Sequence, residues 1–225
     1  MGKDKLKRFA EVESFDNVIQ PSMEELKAGF SLKGNWRKEF FKNDNPIVLE
    51  LGCGKGEYVV GLSRLNPDVN YIGIDIKGAR LWRGAKTCIE EGLSNGAFVR
   101  SKVDFVDQLF AAGEVNEIWL TFSDPQPKRP RKRLTSPLFI DRYKKILAPN
   151  GLVHIKTDSE LLFEYTLEEI EDNDYKNILT SWDVYGELVK NCDDELRNIM
   201  EIKTFYEQKW LGMGIKTKYC KFALD

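Results

Sequence analysis

From Pro46 onward the chain alternates short apolar runs with stretches of helical spacing, and that alternation constrains the fold more than any other feature. "IVLELG" is a short apolar run ending in glycine, the pattern of a strand buried on both faces. "EYVVGLSRL" has helical spacing, "NYIGIDI" is a second strand, and "ARLWRGAKTCIEEGL" is an amphipathic helix stopped near Gly92. "AFVRSKV" and "NEIWLTF" read as strands three and four. "SPLFIDRYKKILAPNG" predicts a helix with Ser136 as N-cap, Pro137 in the first turn and Pro149-Asn150-Gly151 as the stop. "GLVHIKT" is strand five, "SELLFEYTLEEIED" a helix, and "ILTSWDV" and "KYCKFAL" the last two strands. Strands alternating with helices imply βαβ units. The expected fold class is α/β, with a mostly parallel seven-stranded sheet and helices on both faces.

Residues 1–45 lack this rhythm. Lys3, Lys5, Lys7 and Arg8 suggest a mobile basic arm, followed by irregular or helical structure around 23–41. Residues 46–225 then form the main domain. The N-terminus has no apolar core of a secretory signal, and no apolar run reaches the ~18 residues of a membrane span. Cys53, Cys88, Cys192 and Cys220 lie far apart with no CxxC pair, which argues against a zinc knuckle or a disulfide framework and fits a reducing cytosol. A single histidine, His154, excludes metal sites built on several histidines. In "GLVHIKT" it reads as a strand histidine with a local hydrogen bond.

In a parallel sheet, ligands bind beyond the carboxyl ends of the strands. Strand one runs into "ELGCGKGEY", which spaces Gly52, Gly54 and Gly56 as G-x-G-x-G. A dinucleotide fingerprint would put its third glycine at 57, and that position is Glu57. A carboxylate at a helix start competes with a pyrophosphate for the same N-terminus, whereas a cationic ligand tolerates it. Glu50 adds a second negative charge. S-adenosylmethionine, with its ammonium and sulfonium, fits this loop better than NAD does. Asp75 ends strand two, 19 residues after Gly56, where a carboxylate can accept from both ribose hydroxyls. Asp104 follows strand three, where it meets an adenine amino group or serves as a turn or cap residue.

Strand four delivers "FSDPQPKRPRKRL" to the same rim. Pro125 and Pro127 stiffen the loop around Asp124. Lys128, Arg129, Arg131, Lys132 and Arg133 follow within six positions, in a chain whose net charge is only −2. Pro130 keeps this run from forming a helix interior. Arginine and lysine at such density hold phosphates, so nucleic acid is favoured over a small-molecule substrate.

"LELGCGKG", "GIDIKGAR", "FSDPQPKRPRKRL", "GLVHIKTDSELLFEY" and "TFYEQKW", in this order, resemble the bacterial tRNA (guanine-N7-)-methyltransferases over nearly the whole chain. The resemblance implies a Rossmann-like class I methyltransferase fold. The implied reaction moves the methyl group of S-adenosylmethionine to N7 of a variable-loop guanosine in tRNA, in the cytoplasm, by a monomer or homodimer. It implies cofactor binding by Glu50, Gly52, Gly54, Gly56, Asp75 and Asp104, and catalysis by Asp124. Lys128, Asp158 and the segment Thr204, Phe205, Tyr206 and Glu207 match substrate-binding positions. From the residues alone, Asp158 is equally an N-cap, and Thr204 with Glu207 equally a capping box. The family usually has Trp where this chain has Gln126, and often Asn where it has Thr121. Rival readings are a methyltransferase of the same fold acting on rRNA or protein, a non-catalytic RNA-binding protein, and an NAD-dependent oxidoreductase.

Overall fold

The computed structural model describes residues 2–225, with side chains from residue 6 onward. Eight strands form one sheet: β1 Val18–Ile19, β2 Ile47–Leu51, β3 Asn70–Asp75, β4 Gly96–Arg100, β5 Val115–Thr121, β6 Leu147–Thr157, β7 Lys176–Ser181 and β8 Lys218–Ala223. Their order is β1-β4-β3-β2-β5-β6-β8-β7. The six strands from β1 to β6 pair in parallel, while β8 pairs antiparallel with both β6 and β7. The sequence predicts seven strands. The eighth, β1, has two residues and sits in a polar segment, too short for alternation to reveal it.

Helices α1 Gly2–Glu13, α2 Met23–Ala28, α3 Glu57–Leu65, α4 Gly78–Glu91, α5 Val106–Leu109, α6 Pro137–Ile146, α7 Glu160–Asp172, α8 Val189–Asn191, α9 Asp194–Met200 and α10 Phe205–Gly212 complete the fold. Side chains alternate across the strands, so each strand feeds two cores. Leu49, Ile72, Ile118 and Ile155 face one, covered by α6 and α7 through Phe139, Tyr143, Leu162 and Phe163. Val48, Tyr71, Phe98 and Trp119 face the other, covered by α3 and α4 through Val59, Leu62, Leu81 and Ala85.

The lead-in segment is built into this framework. In α1, Val12 is buried in the second core, Glu11 accepts from the Trp82 indole at 2.7 Å, and Arg8 lies 4.8 Å from the centre of that ring. The side chains of Lys3 and Lys5 lie outside the described residues. Trp36 is fully buried and stacks on Phe110. Two local expectations change. Helix α6 ends at Ile146, and residues 147–150 already belong to β6; Asn150, at φ 61°, sits where the pairing with β5 skips from Leu147 to Leu152. Ser136 stands at the N-cap of α6, yet its hydroxyl donates to the Arg131 carbonyl instead of capping.

His154 lies in the second core's layer, stacked on Trp119 at 4.1 Å. Its Nδ1 is 2.8 Å from the Tyr219 hydroxyl and its Nε2 3.2 Å from Glu117, and burial lowers its pKa. It is the strand histidine the sequence suggests, away from the rim.

Candidate active site

The carboxyl ends of β2 to β6 share one edge, and a pocket of about 100 Å³ opens there into a trough of about 1160 Å³. The pocket is lined by Glu50, the glycine loop, Thr121 and the start of α10. The trough runs from Asp75 past Asp104 to Asp124 and Asp158.

The glycine loop shapes the pocket. Gly52, Gly54 and Gly56 all have positive φ, at 77°, 57° and 73°. At Gly56 the reason is also steric, since an added Cβ would lie 2.5 Å from the Phe98 ring. The Gly54 amide donates to Oδ2 of Asp75 at 3.0 Å, and the Lys77 amide donates to Oδ1 at 2.7 Å. Asp75 is thereby fixed in orientation, with lone pairs left for a ligand.

Glu50 is buried beneath the loop. The Thr121 hydroxyl donates to its Oε1 at 2.5 Å and the Val59 amide to its Oε2 at 3.2 Å. Burial pushes its carboxyl up to about 8 against these hydrogen bonds, with Glu57 and Asp75 adding repulsion. A cation in the pocket would relieve that state. Thr121 and the Val59 backbone thus hold Glu50 in place.

The Asp124 loop is strained on both sides. Phe122 and Gln126 have φ of 49° and 44°, a region that non-glycine residues seldom occupy. The Phe122 amide donates to the Lys156 carbonyl at 2.8 Å, and the Gln126 amide donates to Oδ1 of Asp124 at 2.9 Å. Asp124 is exposed to the trough, with Oδ2 unengaged in these contacts. Beside it, the buried Ser123 hydroxyl has no hydrogen-bond partner in the protein.

The basic run divides. Lys128, Arg129, Arg131 and Lys132 are exposed; Arg129 and Lys132 line the trough, and Lys132 lies 3.9 Å from Asp104. Arg133 turns inward instead. It is 4% exposed, donates to the Pro125 carbonyl at 2.9 Å and lies 4.4 Å from the Tyr165 ring centre, bracing the loop from behind. The expectation of a phosphate contact at Arg133 is therefore corrected: a long side chain next to a turn folded back on it.

Asp158 follows β6 and lines the trough. The cap of α7 is Ser159, whose hydroxyl accepts from the Leu162 amide, so the Asp158 carboxylate is not spent on capping. Thr204 and Glu207 do form a capping box at α10. Its consequence is that Phe205 and Tyr206 stand exposed over the pocket, while Glu207 is fully buried. Glu207 pairs with Lys156 at 2.8 Å and accepts from Tyr185 at 2.7 Å. The expected substrate contact at Glu207 is thus corrected to an internal one.

Sequence reading missed Arg80, which lines both pocket and trough, and Trp210, which lines the trough one helical turn beyond Tyr206. The signal for Arg80 was its place five residues after Asp75, within the first turn of the next helix.

A family model described as "Putative methyltransferase" matches residues 44–220. The chain is 51% identical over 225 residues to the tRNA (guanine-N(7)-)-methyltransferase of Bacteroides fragilis (strain YCH46), covering 100% of this chain and 87% of that relative. It is equally 51% identical over 225 residues to the enzyme of that name from Christiangramia forsetii, covering 99% and 98%. Among solved structures, the 30S ribosomal A1408 methyltransferase from an uncultured bacterium superposes with a TM-score of 0.59 at 16% identity, over 87% of this chain and 97% of that one. The likeness at that identity concerns the fold. Fold and rim together define a methyltransferase of the Rossmann-like class I type. Within that class, the chain belongs to the tRNA (guanine-N(7)-)-methyltransferase family.

Proposed function

We propose that this protein transfers the methyl group of S-adenosylmethionine to N7 of a guanosine in the variable loop of tRNA. The observation that carries the reading is the convergence of Asp75, Asp104, Asp124, Asp158, Arg129 and Lys132 on one trough. The glutamates of the pocket, its open glycine backbone and the unpartnered Ser123 hydroxyl fit a polar ligand that carries a cationic group.

In this reading Glu50 and Glu57 face the ammonium end of the cofactor, Asp75 its ribose hydroxyls and Asp104 its adenine amino group. S-adenosylmethionine, when bound, supplies an electrophilic methyl group. Guanine N7 carries a lone pair and no proton, so the protein's task is to orient the base and balance charge. Asp124, with Oδ1 held by the Gln126 amide, presents Oδ2 to the guanine N1–H or 2-amino group. Its charge also favours the cationic base that develops on methylation. Asp158 is placed to accept a second hydrogen bond from the same edge. Lys128, Arg129, Arg131 and Lys132 hold phosphates and position the loop. Among the described residues, no helix is long and apolar enough to cross a membrane. We place the reaction in the cytoplasm, by a monomer or homodimer.

The test is transfer of labelled methyl from S-adenosylmethionine to bulk tRNA, followed by nucleoside analysis. Label in 7-methylguanosine is the expected result; label in another nucleoside, or none, overturns the reading.

A further inference from the structure

The small pocket is chemically mixed. Glu57 supplies negative charge, joined by Glu50 once a cationic ligand expels its proton, while Lys55 and Arg80 supply positive charge. The amino-acid end of S-adenosylmethionine is mixed in the same way, with an ammonium group and a carboxylate on one carbon. The two glutamates suit the ammonium. They also repel the carboxylate, which therefore needs a cation of its own.

Some of the nearby backbone donors are taken. The Gly54 amide serves Asp75, the Gly56 amide serves the Cys53 carbonyl, and the Val59 amide serves Glu50. The Lys55 ammonium lies 3.9 Å from the centre of the Phe205 ring. Arg80 differs. Among the described residues its guanidinium has no hydrogen-bond or ion-pair partner, and it lines both the pocket and the trough.

The backbone explains why Arg80 reaches the pocket. Four residues further along α4, a Cβ on Gly84 would lie 2.7 Å from the Lys55 carbonyl and 3.1 Å from Gly56 Cα. Residues four apart share a helix face, so Arg80 projects from the face that α4 presses against the glycine loop. A planar fork of donors there matches a carboxylate in two-point geometry.

We propose that Arg80 binds the carboxylate of the cofactor's amino-acid end, so that the pocket recognises an intact α-amino acid. The inference rests on the proposed use of S-adenosylmethionine. It predicts a selective loss: removing the guanidinium weakens ligands that carry the carboxylate and spares those that lack it.

Calorimetric titration of full-length protein with S-adenosylmethionine, S-adenosylhomocysteine and decarboxylated S-adenosylmethionine tests it. Arg80→Gln is expected to weaken the first two about tenfold to a hundredfold, the range of a charge-assisted pair, and to change the third by less than about twofold. Arg80→Lys should recover part of the loss. Equal weakening of all three ligands would overturn the proposal. So would unchanged cofactor affinity with weaker tRNA binding, which would assign Arg80 to a phosphate. If the wild-type protein binds none of the three, the cofactor reading itself fails. Binding by the wild-type with no effect of the substitution defeats only the role of Arg80. Arg80 is exposed, and an unchanged melting curve for Arg80→Gln would show that folding is intact.

Discussion

Lys156 Nζ lies 2.8 Å from Oε1 of Glu207, and both side chains are fully buried. The ammonium also donates to the Met200 and Ile202 carbonyls, at 2.9 and 3.2 Å. Its own carbonyl receives the Phe122 amide at the mouth of the Asp124 loop. One residue of β6 thus ties the Asp124 loop to the segment that sets Phe205 and Tyr206 over the pocket. Burial holds the Lys156 ammonium down at about 8, partly offset by Glu207.

A buried charge left without its partner is strongly destabilising, whereas removing both is often tolerated. We expect Lys156→Met to lower unfolding free energy by about 3–5 kcal/mol in urea titration. Lys156→Met combined with Glu207→Leu should recover much of that loss. Additive losses would show that the two side chains do not act as a pair.

Asp124 is exposed and its hydrogen bond from the Gln126 amide is local, so its replacement should leave the fold intact. Asp124→Ala is expected to bind S-adenosylmethionine as the wild-type does and to lose methyl transfer by about a hundredfold or more. Single-turnover assays with saturating tRNA read this directly. Full activity would remove Asp124 from the chemistry.

Glu50 sets a pH dependence whose sign follows from its raised pKa. Its ordinary value is 4.5, and in the folded protein it lies at about 8, so between these values the folded site holds a proton that the unfolded chain has lost. The free protein's stability from this group therefore falls as pH rises through that interval. A cationic ligand expels the same proton, so cofactor affinity should rise with pH and level off above about 8. Titrations in buffers of different ionisation enthalpy should show proton release near pH 7. In Glu50→Gln that release should vanish; its persistence would assign the proton to another group.

The rim was legible because two rules act together. Alternation places the strands, and parallel sheets bind ligands at strand ends, so Gly52 to Gly56, Asp75, Asp124 and Asp158 could be located without coordinates. What escaped depends on contacts between distant segments. Nothing in the local pattern at Glu207 shows that Lys156, 51 positions earlier, lies against it. Arg133 looks like its basic neighbours, and only the return of the chain onto Pro125 and Tyr165 turns it inward. Pro149-Asn150-Gly151 looks like a helix stop, but these residues lie inside a strand, where the pairing with β5 shifts register.

That division of the basic run gives the last prediction. Each phosphate neutralised by a side chain adds roughly 0.7–0.9 to the slope of log affinity against log salt. Alanine at Lys128, Arg129, Arg131 or Lys132, all exposed, should weaken tRNA binding and make this slope shallower. Arg133→Ala should act differently. It removes the brace on Pro125 and the contact with Tyr165, so the melting temperature should fall while the slope stays near the wild-type value. Filter-binding isotherms across a salt series, paired with thermal melts, separate the two effects. A shallower slope for Arg133→Ala without loss of stability would return that side chain to the RNA-facing surface.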